Sequence, residues 1–148
     1  MLVLRQVDFE AIRHHGEATY PHECCGVLLG VVEGERRTVK TTMRCGNTRD
    51  DRPRDRYNID PREVIGIQRQ GREQGCEIVG FYHSHPDCAA QWSKTDLEEA
   101  HWIGCSYVIS RVDGGKTRET RSFVLLGTVE EDKAFAEEEI LVEELVNE

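Results

Sequence analysis

His83-Ser84-His85-Pro86, followed by Ser93 and Asp96, holds the residue types from which a metal centre is made. Side chains of a β-strand alternate between faces, so histidines at i and i+2 project from the same side. Such a pair can grip one ion with two imidazoles. Asp96 lies in the first turn of the next expected helix, from which a short loop can fold it back over the strand end. Two imidazoles and one carboxylate leave the fourth tetrahedral position open, as in catalytic rather than structural zinc sites. A blander reading competes with this one. Single histidines are usually hydrogen-bonded structural residues, and Ser93-x-x-Asp96 is also an ordinary capping box, with Ser93 as N-cap and Asp96 at N3. Capping alone, however, gives no reason for an H-S-H-P element at this spacing before the box.

The elements that must place these residues can be read along the 148-residue chain. Met1–Arg5 reads as a strand, and Asp8 as the N-cap of a helix that turns Phe9, Ile12 and Ala18 to the core and stops by Pro21. Cys25–Val32 is a continuous apolar run suited to a strand buried on both faces. Thr38–Met43 is β-branched enough to pair with it through a turn at Glu33 and Gly34. After the polar stretch from Gly46 to Arg56, Asp60 and Pro61 read as N-cap and N1 of a helix with Val64, Ile65 and Ile67 on its apolar side, ending near Gly71 and Gly75. Glu77–His85 is the strand that carries the histidine pair. Ser93–Trp102 reads as a helix with Leu97, Ala100 and His101 near one face. Cys105–Ser110 and Thr120–Leu126 form a hairpin through Asp113, Gly114 and Gly115. Ala136–Glu148 suits either a strand, by Ile140, Leu141 and Val142, or a helix, by its glutamates. This order implies an α/β fold with a mixed sheet, and the length fits one domain over residues 1–148.

Composition narrows the function classes. No apolar run approaches the ~20 residues of a membrane span, and no secretory leader is visible, so the expected location is cytoplasmic. The net charge of -9 is the wrong sign for a general nucleic-acid binder. Most of it is concentrated in Glu130–Glu148, which holds nine acids and one base. Arg49–Arg72 is weakly positive, with seven arginines against five acids, and reads first as solvated surface. Six cysteines, at 24, 25, 45, 76, 88 and 105, include no C-x-x-C pair, so a zinc site made of four cysteines is not expected and buried thiols are. Cys88 and Cys105 are one candidate bridge. Histidines 14, 15 and 22 match no ligand spacing and read as surface or packing residues.

His83, His85, Ser93 and Asp96 resemble, residue for residue, the H-S/T-H-P and S-x-x-D pattern of the JAMM (MPN+) zinc metallopeptidases. Pro21-His22-Glu23-Cys24-Cys25-Gly26-Val27-Leu28-Leu29-Gly30 is similar to the family's E-x-C-G-x-L-x-G junction. Tyr57-Asn58-Ile59-Asp60-Pro61 and Ser106-Tyr107-Val108-Ile109-Ser110 also look like family segments. The resemblance implies an MPN-like (cytidine-deaminase-like) fold, with one Zn2+ per chain held by His83, His85 and Asp96. It implies Glu23 as general base and then general acid, and Ser93 as hydrogen-bond donor to the tetrahedral oxyanion. Without the resemblance, Glu23 would read as a solvated helix-end carboxylate. Trp92 departs from the small residue or proline expected before Ser93, and either walls the substrate groove or belongs to the core.

An amidohydrolase barrel also opens with H-x-H, but needs ~250 residues. A zinc deaminase needs H-x-E and P-C-x-x-C, and neither is present. A non-catalytic MPN scaffold for protein assembly is the alternative from another class; such members typically lack part of the ligand set. The short Pro86–Ser93 connection resembles the compact prokaryotic members. These cleave peptide or isopeptide bonds after the C-terminal Gly-Gly tail of small ubiquitin-like or sulfur-carrier proteins. A tail of that kind is expected to lie along an exposed strand edge.

Overall fold

The apolar run at Cys25 does become a strand closed on both faces. Every residue from Cys25 to Gly30 is buried, and alternation divides them: Val27 and Leu29 enter one core, Leu28 the other. The computed structural model describes residues 1–47 and 58–144. Its elements are β1 (Leu2–Arg5), α1 (Gln6–Thr19), β2 (Cys25–Glu33), β3 (Arg36–Cys45), α2 (Pro61–Glu73), β4 (Glu77–Pro86), α3 (Lys94–Glu99), β5 (Ser106–Asp113), β6 (Lys116–Leu126), a 3-10 turn at Glu130–Asp132, β7 (Ala134–Glu138) and β8 (Ile140–Glu143). The arginines between 49 and 56, Tyr57 and the last four residues lie outside the described residues.

All eight strands join one mixed sheet in the order β7-β6-β5-β4-β2-β3-β1-β8. β4 runs antiparallel to β2 and parallel to β5. β7 and β8 stand at opposite ends of that order, yet only Glu139 separates them in sequence. The sheet therefore curls until its two margins meet, and the chain crosses the seam in one step. The Leu2 amide donates to the Glu139 carbonyl there at 2.9 Å. Just inside the seam, the buried Glu138 carboxylate accepts from Ser106 (2.6 Å), Ser122 (2.7 Å) and Arg37 (3.0 Å). The Met1 ammonium pairs with the same carboxylate at 3.1 Å, and a buried charge so completely partnered helps fix which strands meet.

The helices cover opposite faces. Ile12 of α1 packs with Leu2, Leu4, Leu28, Tyr82 and Val108, whereas Ile67 of α2 packs with Val27, Leu29, Ile78, Phe81 and Tyr107. α1 is tied to β4 by a buried contact of 2.6 Å between His15 Nδ1 and the Tyr82 hydroxyl. Burial holds the Tyr82 phenol protonated, and burial with help from Arg44 lowers His15 to about 4. The unfolded chain takes up that proton near pH 6.5, so His15 adds stability that is fully present above this value and is lost as pH falls toward 4. Denaturant titrations across pH 4–7 are expected to show a shallower slope for His15→Gln than for the unmodified protein; equal slopes would assign the acid sensitivity elsewhere.

Five sequence expectations change. Ala18 is exposed on α1 instead of facing the core. Asp8 is not the N-cap of α1: the helix starts at Gln6 directly after β1, and Asp8 sits in its first turn, paired with Arg5 at 2.7 Å. Ile65 is exposed, because Val64, Ile67 and Gly71 follow the helical period toward the sheet and residue 65 turns away from it. α3 stops at Glu99 instead of reaching Trp102, and His101 is exposed. The ambiguous C-terminal stretch is strand as far as Glu143. The Asp60 cap with Pro61 at N1 and the Gly114-Gly115 turn, both glycines at positive φ, agree with the sequence reading.

Candidate active site

β4 is the rail on which the site is built. Alternation puts the His83 and His85 rings together, 5.0 Å apart, and turns the fully buried Ser84 to the other face against Gly16 of α1. A Cβ at residue 16 would meet the Ser84 Cβ at 3.3 Å, so glycine there lets helix and strand close up. Ser84 also fixes the neighbouring chain. Its Oγ accepts from the Cys24 amide at 2.8 Å and its own amide donates to the Cys24 carbonyl at 3.3 Å. With Cys25 directly opposite His83 in the β2–β4 register, these bonds deliver Glu23 beside the histidines.

The donor atoms converge closely. His83 Nε2 and His85 Nε2 are 3.1 Å apart, Asp96 Oδ1 is 3.3 Å from the first, and Asp96 Oδ2 is 3.2 Å from the second. Ligands on a tetrahedral zinc with bonds of ~2.0 Å would stand roughly 3.3 Å from one another, so the set fits that ion. His85 Nδ1–H donates to the Ala89 carbonyl at 2.8 Å, which leaves the Nε2 lone pair facing the site. Burial holds His83 below the ordinary imidazole range despite Asp96. Burial would raise Asp96, but the two imidazoles outweigh it and keep the carboxylate well below its usual range. Burial would lower His85, but Asp96 and the Ala89 carbonyl outweigh it and hold it above the ordinary imidazole range, so a bound cation would have to displace its proton. A Glu23 carboxylate oxygen lies within 4.8 Å of ring nitrogens of both histidines, and Glu23 is only 4% exposed, so it is no solvated helix-end group.

Ser93 forms the capping box that its spacing allows. Its Oγ accepts from the Asp96 amide at 3.0 Å while Asp96 Oδ2 accepts from the Ser93 amide at 2.8 Å, a complete capping box. Accepting leaves the hydroxyl hydrogen free to donate, and Ser93 is exposed toward a groove of about 630 Å³ lined also by Glu23, His85, Cys88, Trp92 and Asp96. Trp92 both lines that groove and packs on Phe135. Asp87 shapes the loop and was not singled out by sequence: at φ 57° its carboxylate accepts from the Tyr20 hydroxyl (2.7 Å) and the Gly114 amide (3.0 Å). An acidic residue right after a proline-ended strand is the turn signal that points to it.

β4 is paired on both sides up to His83, and His85 and Pro86 pair with β5 alone. One expectation fails here. Cys88 and Cys105 cannot be bridged. The residue before Cys88 hydrogen-bonds Val112 near the far end of β5, whereas Cys105 precedes its start, roughly 20 Å away at strand rise. All six cysteines are free, and burial pushes the Cys24 and Cys105 thiols up to about 11. Among the described residues, no helix is long and apolar enough to cross a membrane.

The chain is similar to desampylase of Haloferax volcanii, 40% identical over 97 residues that cover 66% of this chain and 68% of that one. It is 29% identical to the CysO-cysteine peptidase of Mycobacterium tuberculosis over 133 residues, 89% of this chain and 88% of the relative. A solution structure of a Desulfitobacterium hafniense protein superposes with a TM-score of 0.83 at 29% identity, covering 99% of this chain and 95% of that one. Residues 5–126 match the family described as prokaryotic homologs of the JAB domain, and the mixed α/β sheet is the fold of its structural relatives. The chain therefore belongs to the prokaryotic JAB family.

Proposed function

We propose that residues 1–148 form one zinc-dependent metallopeptidase domain. It would hydrolyse the peptide or isopeptide bond after the C-terminal Gly-Gly tail of a small ubiquitin-like or sulfur-carrier protein. The observation that carries this reading is the convergence of His83, His85 and Asp96 at 3.1–3.3 Å beside the buried Glu23, at one end of an open groove. The names of the relatives, a desampylase and a CysO-cysteine peptidase, support hydrolysis of small-protein conjugates. A scaffold has no use for a donor set kept this close, so the enzyme reading is preferred. Free cysteines suit a cytoplasmic protein.

His83, His85 and Asp96 would hold the ion. Bound zinc would supply a Lewis acid that polarises the scissile carbonyl and brings the pKa of water toward ~7. Glu23 takes the proton of the attacking water and delivers it to the departing amine. Ser93 donates to the oxyanion with the hydrogen its capping role leaves free. Ser93→Ala is accordingly expected to lower kcat about 10²-fold, whereas a serine that only caps would cost ~1 kcal/mol of stability and leave kcat unchanged.

The substrate side is tested with a carrier fusion whose tail ends in Gly-Gly and its twin in which the last glycine is valine. Glycine lets the tail backbone approach the ion most closely. Cleavage of the first and poor cleavage of the second are expected by intact mass; equal cleavage of both, or of any unstructured peptide, would contradict the carrier assignment alone.

A further inference from the structure

α3 carries Asp96 but contributes no fully buried residue over its six positions, and only the half-buried Leu97 packs it on the core. Its start is closed by the Ser93–Asp96 box, and those are the two residues the site employs. Its end is held from elsewhere. Lys133 Nζ, on a side chain only 7% exposed, donates to the Glu98 carbonyl at 3.1 Å and the Ala100 carbonyl at 2.8 Å, and pairs with Glu130. A cation there satisfies the last carbonyls and complements the negative end of the helix. Two residues on, Phe135 packs against Trp92 with ring centroids 5.5 Å apart, directly before Ser93. Phe135 is backed in turn by Tyr107 and Phe123.

The gripping stretch is itself stiff. Asp132 accepts from the amides of Thr128 (2.9 Å) and Val129 (2.8 Å) and from the Thr128 hydroxyl (2.8 Å). Gly127 stands at φ +132°, where a Cβ would fall 2.8 Å from the Lys133 Cα. After the turn, β7 docks on β6. This turn lies beyond residue 126, where the family match ends.

We propose that the turn from Thr128 to Phe135 is a clamp that sets the position of Asp96 and Ser93, with Lys133 and Phe135 as positioning residues acting through α3. The inference rests on the metal reading of Asp96. It is tested in the full chain with Lys133→Met, Lys133→Arg and Phe135→Leu, by zinc competition against a chelating dye, by the absorption spectrum of the Co2+-loaded protein and by amide hydrogen exchange. Lys133→Met is expected to bind zinc about tenfold or more weakly, as is usual when a residue supporting a ligand is lost. Its Co2+ spectrum should shift, and the Asp96, Leu97 and Ala100 amides should exchange faster while those of β4 and β5 do not. Lys133→Arg, which keeps donors for the two carbonyls, should recover most of the affinity. Phe135→Leu carries the same expectation at the Trp92 end and serves if Lys133→Met does not fold. Wild-type zinc affinity together with wild-type exchange at 96–100 in a folded variant would overturn the clamp. An unmodified protein that binds no zinc would instead contradict the metal reading, and the exchange comparison would still decide the clamp.

Discussion

His83→Ala/His85→Ala protein is expected to purify without zinc and to show no hydrolysis above background. Of the donors at 3.1–3.3 Å only Asp96 would remain, and one carboxylate does not hold the ion in competition with water. The fold should survive. The core clusters on both faces of the sheet are built from other residues, and the alanines relieve the pairing of two imidazoles in a closed space. Metal content by mass spectrometry, with circular dichroism on the same sample, checks this. A folded double variant with full zinc occupancy would remove the ligand assignment.

Glu23→Gln is expected to separate binding from chemistry. The amide keeps the size and hydrogen-bonding capacity of the carboxylate but cannot take a proton, so zinc should stay while turnover falls by roughly 10²- to 10⁴-fold, about 3–5 kcal/mol of barrier. The fall should appear in kcat, because a proton carried in the transition state contributes little to holding the ground-state substrate. Steady-state kinetics on a carrier fusion would read it. Unchanged kcat with the metal in place would return Glu23 to a structural role at the β2 entrance.

The histidine pair was legible because strand alternation is a local rule, and Asp96 because a short loop and a capping box limit where it can go. The position of Glu23 was not legible from any such rule. It depends on the antiparallel β2–β4 register and on Ser84 holding Cys24, contacts between residues 60 apart in sequence. The family resemblance located it where spacing could not. The closed seam was equally invisible, since Arg37 and Glu138 are 101 residues apart and nothing near either one announces its partner. Helix periodicity carried α3 on to Trp102, but the backbone turns extended at Ala100, whose carbonyl accepts from Lys133 far along the chain. The acidic C-terminal stretch read ambiguously because its strands are short and keep many glutamates in water, so neither period dominates.

The most direct measurement is a zinc titration of metal-stripped protein while a Gly-Gly carrier fusion is being cleaved. Activity should rise from background linearly and level off at one zinc per chain, and chelation should reverse it without unfolding the protein. Cleavage by the stripped protein at the full rate, or activity indifferent to added zinc, would contradict the account.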